Sequence, residues 1–420
     1  MQGTTTARKL RKRMGRFSGD LSTGLCAVAQ RFVSEMIYGI QASQSVMLTQ
    51  IGRSLEEDIP LCKTHERLSR NLQREELEGT VGGNLLGMAA SHVGRDTLLV
   101  VDPSDITKKY AKKMEFLATV RDGSEQELGP GYWTLHVIGA QVGSQQMTPL
   151  YQRLWSAQAP DFVSENEEIL TAVDAVRAHV GNRGIWVMDR GGDRANLMEP
   201  LLDRGARFLI RQTGQRHLVF NRKLLSAAEV ANGCRCKHRK PVVRIEQGGE
   251  RVYELSFGFR RVYLPGRSEP LSLLVIRGFG EQPLMLLTTE PLRASFKCLW
   301  HWVQAYRKRW SVEETIRYVK QCYDLENVRL LTYQSLQNLM PLVLAVMFFA
   351  ACVLDHDQRL RIMARYVEQA AKRLFGVPDF KYYALADGLS CLLTRHPGRP
   401  VRPRTTKRPK QMELFALHPR

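Results

Sequence analysis

The stretch GIWVMDRGGDRANLMEPLLDRGARFLIR, residues 184–211, decides the fold class. Gly184–Met188 is a short apolar run typical of a buried strand, and it ends at Asp189. Ala195–Arg204, closed by Gly205, has the spacing of a helix, and Arg207–Arg211 is a second strand-like run. A strand, a helix and a strand in this order predict an α/β domain.

The surrounding sequence extends the same pattern. Thr97–Val101 is a β-like run that ends at Asp102. Tyr132–Val142 and Met147–Trp155 flank Gly143 and Ser144 like a hairpin. Ser164 followed by Glu167 is a capping box that opens a helix to Val180. The chain is therefore predicted to deliver two aspartates, Asp102 and Asp189, at the ends of separate strands.

The chain of 420 residues has 61 Lys and Arg against 42 Asp and Glu, a formal net charge of +19. Its apolar content of 44% is that of a globular protein and excludes a mostly disordered, collagenous or coiled-coil chain. Six basic residues lie between Arg8 and Arg16 and seven between Arg395 and Lys410, with no acid in either stretch. Such basic ends predict mobile arms and a polyanionic partner, although solubility alone would also explain them.

Three further patterns bear on the cellular setting. The eight cysteines are scattered, mostly among apolar neighbours, which predicts reduced thiols in the cytoplasm. The polar and basic start of the sequence is unlike a secretory leader. The apolar run Leu339–Leu354 contains Pro341 and is shorter than a membrane span, so we expect a buried helix and no membrane partner.

The sequence divides into six predicted regions. A helical module precedes the α/β domain, and a β-rich basic segment interrupts that domain before its last helix. The regions are a basic flexible arm at 1–19, a helical module at 20–80, an α/β domain at 95–212 and 281–350, a β-rich insertion at 213–280, C-terminal helices at 351–393 and a basic tail at 394–420. The glycine-rich segment Val81–Gly94 is predicted to be a connector.

The helix predicted from Phe296 to about Tyr323 contains the most informative polar residues. Tyr306, Arg309, Glu313 and Lys320 are offset by 0, 3, 7 and 14 residues, and at about 100° per residue they share an arc of about 60°. An ion-pair ladder along a helix explains such a face at least as well as a site does. The two strand-terminal aspartates change this balance, because Asp102, Asp189 and Glu313 together would form an acidic trio suited to hard divalent cations.

These residues resemble a known family. Tyr306, Arg309, Glu313 and Lys320 fit the spacing Tyr-x2-Arg-x3-Glu-x6-Lys, the YREK signature of bacterial DDE transposases of insertion sequence family four. The resemblance extends over about residues 95–350 and includes VVDPSDITKKYAKKME at 100–115, WVMDRGGDR at 186–194 and YRKRWSVEETIRYVK at 306–320.

The resemblance implies a fold, a chemistry and a set of partners. It implies a ribonuclease-H-like catalytic domain with Asp102, Asp189 and Glu313 as catalytic ligands of two Mg²⁺ ions, for which Mn²⁺ would substitute. It implies that Tyr306, Arg309 and Lys320 contact DNA and that the helical module at 20–80 is a DNA-binding module. The expected activity is cut-and-paste transposition on terminal inverted repeats and target DNA, by a homodimer on paired ends. No nucleotide-binding fingerprint is present, so no nucleotide cofactor is expected.

Several alternatives remain open at this stage. Asp105 and Asp193 compete with Asp102 and Asp189 as ligands, although they are more typical of turns and caps. Lys108, Lys109, Lys112 and Lys113 fit either a phosphate contact or a solvated turn. Cys234, Cys236 and His238 fit a basic turn better than a zinc site, and His136 and His301 are interpreted as structural.

The family's base-stacking Trp has no counterpart, since all six Trp lie outside 190–299. Tyr253, Phe257, Phe259 or Tyr263 would have to take that role if a DNA hairpin forms. A non-catalytic transposase-derived repressor and a nuclease that does not join strands are the alternative functions.

Overall fold

The structure is a computed structural model that describes residues 2–123, 127–246, 249–354, 356–370 and 381–401. It is an α/β protein built on one large mixed sheet, as the sequence predicts. The helices are α1 (Gln2–Leu21), α2 (Ala27–Ser43), α3 (Leu48–Ser54), α4 (Leu61–Leu72), α5 (Glu76–Ala89), α6 (Glu165–Val180), α7 (Ala195–Asp203), α8 (Ala227–Asn232), α9 (Phe296–Cys322), α10 (Tyr333–Phe348), α11 (His356–Ala370) and α12 (Lys381–Arg395).

The strands alternate with these helices. They are β1 (Leu98–Thr107), β2 (Ala118–Arg121), β3 (Leu128–Ala140), β4 (Met147–Trp155), β5 (Ile185–Met188), β6 (Phe208–Arg211), β7 (His217–Phe220), β8 (Lys223–Ser226), β9 (His238–Glu246), β10 (Gly249–Val262), β11 (Leu271–Arg277) and β12 (Leu284–Thr288). The main sheet has the order β2-β3-β1-β5-β6-β12-β11-β10-β9, with β4 paired to β3. β7 and β8 form a separate hairpin.

The centre of the sheet is parallel and its flanks are antiparallel. β1 pairs in parallel with β5, and β5 pairs in parallel with β6. β3 runs antiparallel to both β1 and β4. The hairpin predicted around Gly143 is therefore confirmed, and so is the cap of α6, where the Ser164 side chain accepts a hydrogen bond from the Glu167 amide.

The insertion does not form a separate domain. β12 pairs with β6, and β11 pairs with β12, so β9, β10 and β11 of the segment 213–280 extend the central sheet, while β7 and β8 form their own hairpin. The sequence places these strands correctly but cannot assign their partners, because the pairings join residues far apart in the chain.

Two apolar clusters cover the two faces of this sheet. α9 packs on one face, where Tyr306, Val312 and Ile316 meet Val100 and Val187. The other face is covered by the helical module, α6 and α10. Because α9 crosses β1, β3 and β5, its polar edge lies over the ends of the central strands.

The N-terminal arm differs from the expectation. Residues 2–21 form α1, and Leu10, Met14, Phe17 and Leu21 are buried along one side of it. The basic residues of this segment occupy the other positions of the helix, so its charge conceals an apolar stripe. α5 likewise occupies most of the segment predicted to be a connector. Of the basic tail, the part from 402 to 420 lies outside the described residues.

The apolar run Leu339–Leu354 forms the end of α10 and the short π-helical turn Phe349–Val353 that follows it. The helical stretch Tyr333–Val353 is long and apolar enough to cross a membrane, and 89% of its most apolar window is buried inside the fold. A core helix explains this stretch.

Candidate functional site

Asp102 and Asp189 lie on neighbouring parallel strands. Leu98–Val100 of β1 pairs with Ile185–Val187 of β5, so both aspartates follow the last paired residues by two positions. The sequence predicts that the first strand ends at Asp102, but β1 continues to Thr107 along β3. Asp102 therefore lies at the point where β1 loses its partner on the β5 side.

The alternation of side chains puts both aspartates on the face that α9 covers. Leu98 and Val100 belong to the apolar cluster beneath α9, as do Ile185 and Val187. Side chains two residues apart in a strand share a face, so the next members of the two series are Asp102 and Asp189.

Arg309 of α9 joins Asp102 to Glu313. Its Nη1 lies 3.5 Å from Asp102 Oδ1 and 2.7 Å from Glu313 Oε1. The Arg309 side chain is 7% exposed, whereas that of Glu313 is 46% exposed. Arg309 Nε is buried with no hydrogen-bond partner within the described part of the chain. The three residues form one charged cluster where the pairing of β1 with β5 ends.

The carboxylates of this cluster repel one another. Burial raises the pKa of Asp102 to about 7; Arg309 opposes this shift, and the nearby Glu313 and Asp189 add to it. Asp102, Asp189 and Glu313 also all act on the pKa of Arg309, which is raised. The three predicted acids are thus within electrostatic range of one another, and Arg309 is the cation that compensates them.

The donor set fits a hard divalent cation. Carboxylate oxygens are the protein ligands that Mg²⁺ takes, and the surplus negative charge around Asp102 would be relieved by one. Within the residues that the structure describes, no group of three or more His, Cys, Asp or Glu is arranged to hold a metal ion. Arg309 occupies the position between Asp102 and Glu313, so a cation that used both carboxylates would have to displace it.

The competing aspartates have structural partners. Asp105 is buried and lies 3.3 Å from Lys320 Nζ, and it also accepts a hydrogen bond from Thr107 Oγ1. The Asp193 side chain is 1% exposed and pairs with Arg216 at 2.5 Å. These close ion pairs occupy Asp105 and Asp193, which favours Asp102 and Asp189 as the metal ligands.

The three residues predicted to contact DNA are sheltered in this structure. Tyr306 is fully buried, and its ring lies 5.7 Å from the Arg309 guanidinium. The Lys320 side chain is 16% exposed and faces Asp105 and Glu326. Arg309 and Lys320 neutralise acids here, so contact with a phosphate would require them to exchange partners. Tyr306 is placed to hold Arg309 in position.

His136 lies at the edge of the site, and its burial agrees with the structural role that the sequence predicts. It lies opposite Asp102 on β3, and its Nε2 is 3.0 Å from Thr134 Oγ1. Complete burial, with a smaller contribution from Lys320, lowers the pKa of His136 to about 3, so the ring is neutral. Only the register of β1 and β3 brings it beside Asp102, and no sequence motif encodes that register.

Cys234, His238 and Phe257 of the insertion have packing roles. Cys234 is buried, and His238 stacks on Phe257 with ring centroids 5.9 Å apart. Phe257 is fully buried, so it is not available to stack on a base. All eight cysteines are free thiols.

Lys108 is an anchor and not a surface charge. It is 8% exposed, and its Nζ donates to the carbonyl oxygens of Glu326 at 2.5 Å and Val328 at 2.6 Å. Burial lowers its pKa to about 8. Of the four lysines after β1, only Lys109, Lys112 and Lys113 are exposed.

Lys108 therefore predicts a pH effect on stability. The unfolded chain keeps this proton up to a pH of about 10.4, whereas the folded chain releases it near pH 8. The contribution of Lys108 to the free energy of unfolding should therefore rise between these two pH values, by up to about 3 kcal/mol. Urea unfolding of the wild type and of Lys108→Met at pH 7.5 and 9.5 measures this rise in the free energy of unfolding. The rise should be smaller in the variant, and equal rises in both proteins would contradict the burial of this charge.

Part of the chain matches the model of a known protein family. Residues 156–349 match the family model described as Transposase DDE domain. The matched segment includes Asp189 and Glu313, and it begins after Asp102. No curated protein matches the chain.

A solved structure is also similar to the chain. The cryo-EM structure of a piggyBac transposase synaptic complex with hairpin DNA aligns with 94% of this chain and 80% of that chain, with 10% sequence identity and a TM-score of 0.41. The segment that matches the family model begins just after β4 and ends just after α10, and it contains the helix that carries Arg309 and Glu313.

Proposed function

We propose that this protein is a metal-dependent DNA transposase of the YREK group, insertion sequence family four, with a ribonuclease-H-like catalytic domain. The observation that carries the proposal is the register of β1 and β5, which brings Asp102 and Asp189 to one edge beneath the helix that bears Glu313. The match of residues 156–349 to the transposase DDE domain supports it.

Asp102, Asp189 and Glu313 would hold two Mg²⁺ ions, or Mn²⁺ in their place. Bound divalent ions activate the attacking oxygen and stabilise the leaving oxygen of a phosphodiester. Other groups of the chain position these acids. The neutral His136 packs beside Asp102 without adding positive charge, and the Asp189 side chain is oriented by the Gly191 amide, which donates to its Oδ1 at 2.7 Å.

Arg309 and Lys320 would act on the DNA. Arg309 pairs with Asp102 and Glu313 in the DNA-free protein, and Lys320 pairs with Asp105 and Glu326. If metal ions bound the trio, Arg309 would lose its carboxylate partners and could bind a phosphate oxygen, whereas Lys320 would have to leave Asp105 and Glu326 to do the same. The reaction is hydrolysis at the transposon end followed by attack of the freed 3′ hydroxyl on target DNA, carried out by a homodimer on paired terminal inverted repeats in the bacterial cytoplasm.

The test uses DNA from both sides of the gene. Fragments that contain the flanking inverted repeats are incubated with the full chain and Mg²⁺ or Mn²⁺, and cleavage and joining to a second plasmid are scored. The proposal predicts cut ends that join. Cutting without joining would instead identify a nuclease, and specific binding without cutting in either metal would identify a repressor.

A further inference from the structure

A second cationic surface lies at the far end of β1, and the proposed function does not use it. The loop from Lys108 to Met114 borders a cavity of about 680 Å³ together with residues 326–331. Five cations and one acid line this cavity, namely Lys108, Lys109, Lys112, Lys113, Arg329 and Glu326. The charge excess suits a polyanion.

An aromatic ring stands in the middle of these charges. Tyr110 is 87% exposed, which is the largest exposure among the large hydrophobic residues of the described chain. Leaving a tyrosine ring in water gains nothing for folding. A flat exposed ring between lysines is the arrangement that proteins use to bind single-stranded nucleic acid, where bases stack on rings and cations follow the backbone.

The loop is fixed at both ends. At its start, Lys108 is held by the Glu326 and Val328 carbonyls, and its own amide donates to Pro130 at 2.7 Å. Just after it, the Glu115 amide donates to the Leu331 carbonyl at 2.9 Å, and the Glu115 carboxylate accepts from the Tyr333 amide at 2.8 Å. These anchors restrict the loop at both ends, which lowers the entropy cost of binding.

The loop is connected to the proposed active centre. Lys108 follows Asp102 by six residues of extended strand, a distance of about 20 Å. Between them, Lys320 bridges Asp105 and Glu326. A DNA strand that left the acidic trio along α9 would have to cover this distance of about 20 Å to reach the loop.

We propose that the loop Lys108–Met114 is a binding site for an unpaired DNA strand. Lys112 and Lys113 contact its phosphates, and the Tyr110 ring stacks on a base. A paired base presents no free face to such a ring, so the site distinguishes unpaired from duplex DNA. This inference rests on the proposed function for the identity of the polyanion as DNA.

Fluorescence anisotropy of the full chain tests the stacking. The probes are an oligothymidine of about 20 nucleotides, longer than the 4–16 that such sites cover, and a duplex of equal length and unrelated sequence. Tyr110→Ala should weaken binding of the single strand about tenfold and leave the duplex unchanged. Tyr110→Phe keeps the ring and should bind as the wild type does.

The salt dependence tests the lysines. Lys112→Gln/Lys113→Gln should lower the slope of log K against log salt for the single strand by about 1.4, or about 0.7 for each lost phosphate contact. Arg222→Gln/Lys223→Gln removes the same charge from the exposed tip of the β7–β8 hairpin and should leave the slope unchanged. Both pairs are on the surface, and thermal unfolding confirms that each variant is folded.

The outcomes separate this inference from the proposed function. If the wild type cleaves its flanking DNA but Tyr110→Ala binds the single strand as tightly as the wild type, the loop site is wrong and the transposase is not. If single-strand binding depends on Tyr110 and nothing is cleaved, the loop site holds and the proposed function fails. Equal weakening of duplex and single strand by Tyr110→Ala would overturn the selectivity for unpaired DNA.

Discussion

Glu313→Gln is expected to lower the rate of DNA-end cleavage by about 1000-fold while the protein still binds the end. A carboxylate that holds a catalytic metal contributes several kcal/mol to the transition state, and each 1.4 kcal/mol is a factor of ten in rate. The side chain is 46% exposed, so its replacement leaves no cavity in the core. Cleavage and gel-shift assays on the same DNA separate rate from binding.

The neighbouring acid is the matched control. Glu314 lies on the same helix and pairs with Arg317 at 2.6 Å, away from the strand ends. Glu314→Gln removes the same charge and should cut at a rate within a factor of about two of the wild type, because an exposed pair of this kind contributes little. Equal losses in the two variants would mean that Glu313 has no special role.

Arg309→Gln is expected to bind Mg²⁺ about tenfold more tightly than the wild type and yet to cleave DNA poorly. In the DNA-free protein the guanidinium occupies the oxygens of Asp102 and Glu313 that the metal would take. In the wild type, metal binding has to break this charged contact, which weakens the binding free energy by about 1.4 kcal/mol or more. The variant has no such contact to break. Cleavage suffers because a phosphate-binding cation is lost.

Isothermal titration of Mg²⁺ or Mn²⁺ into the DNA-free proteins measures this effect. The metal-free variant should also melt at a lower temperature than the wild type, because the acids of the site lose their cation, and added metal should restore more of its stability. Arg317→Gln, on the exposed side of α9, is the control of equal charge. Unchanged or weaker metal binding in Arg309→Gln would contradict competition between the guanidinium and the metal.

The elements near the site could be predicted because their signals are local. The apolar run that ends at Asp189, the Ser164 cap and the hairpin turn at Gly143 are each encoded within a few residues, and each has the expected structure. The helical phase of Arg309 and Glu313 also follows from spacing alone, and the structure places both on the edge of α9 that faces Asp102.

Other features depend on contacts between distant parts of the chain. The sequence does not reveal α1, because basic residues dominate its composition. Its buried positions, such as Phe17, are recognised only from their contacts with α10 and the turn after it. The placement of His136 beside Asp102 depends on strand register. The bridge from Arg309 to Asp102 depends on how α9 crosses the sheet, which no spacing rule specifies.

A crystal structure of the full chain with Mn²⁺ and a DNA end tests the central claim most directly. The anomalous signal of the metal should lie about 2 Å from oxygens of Asp102, Asp189 and Glu313, with the Arg309 guanidinium moved away from Asp102. A metal bound elsewhere, or an intact pair between Arg309 and Asp102 at saturating Mn²⁺, would contradict the assignment of these three acids as the catalytic centre.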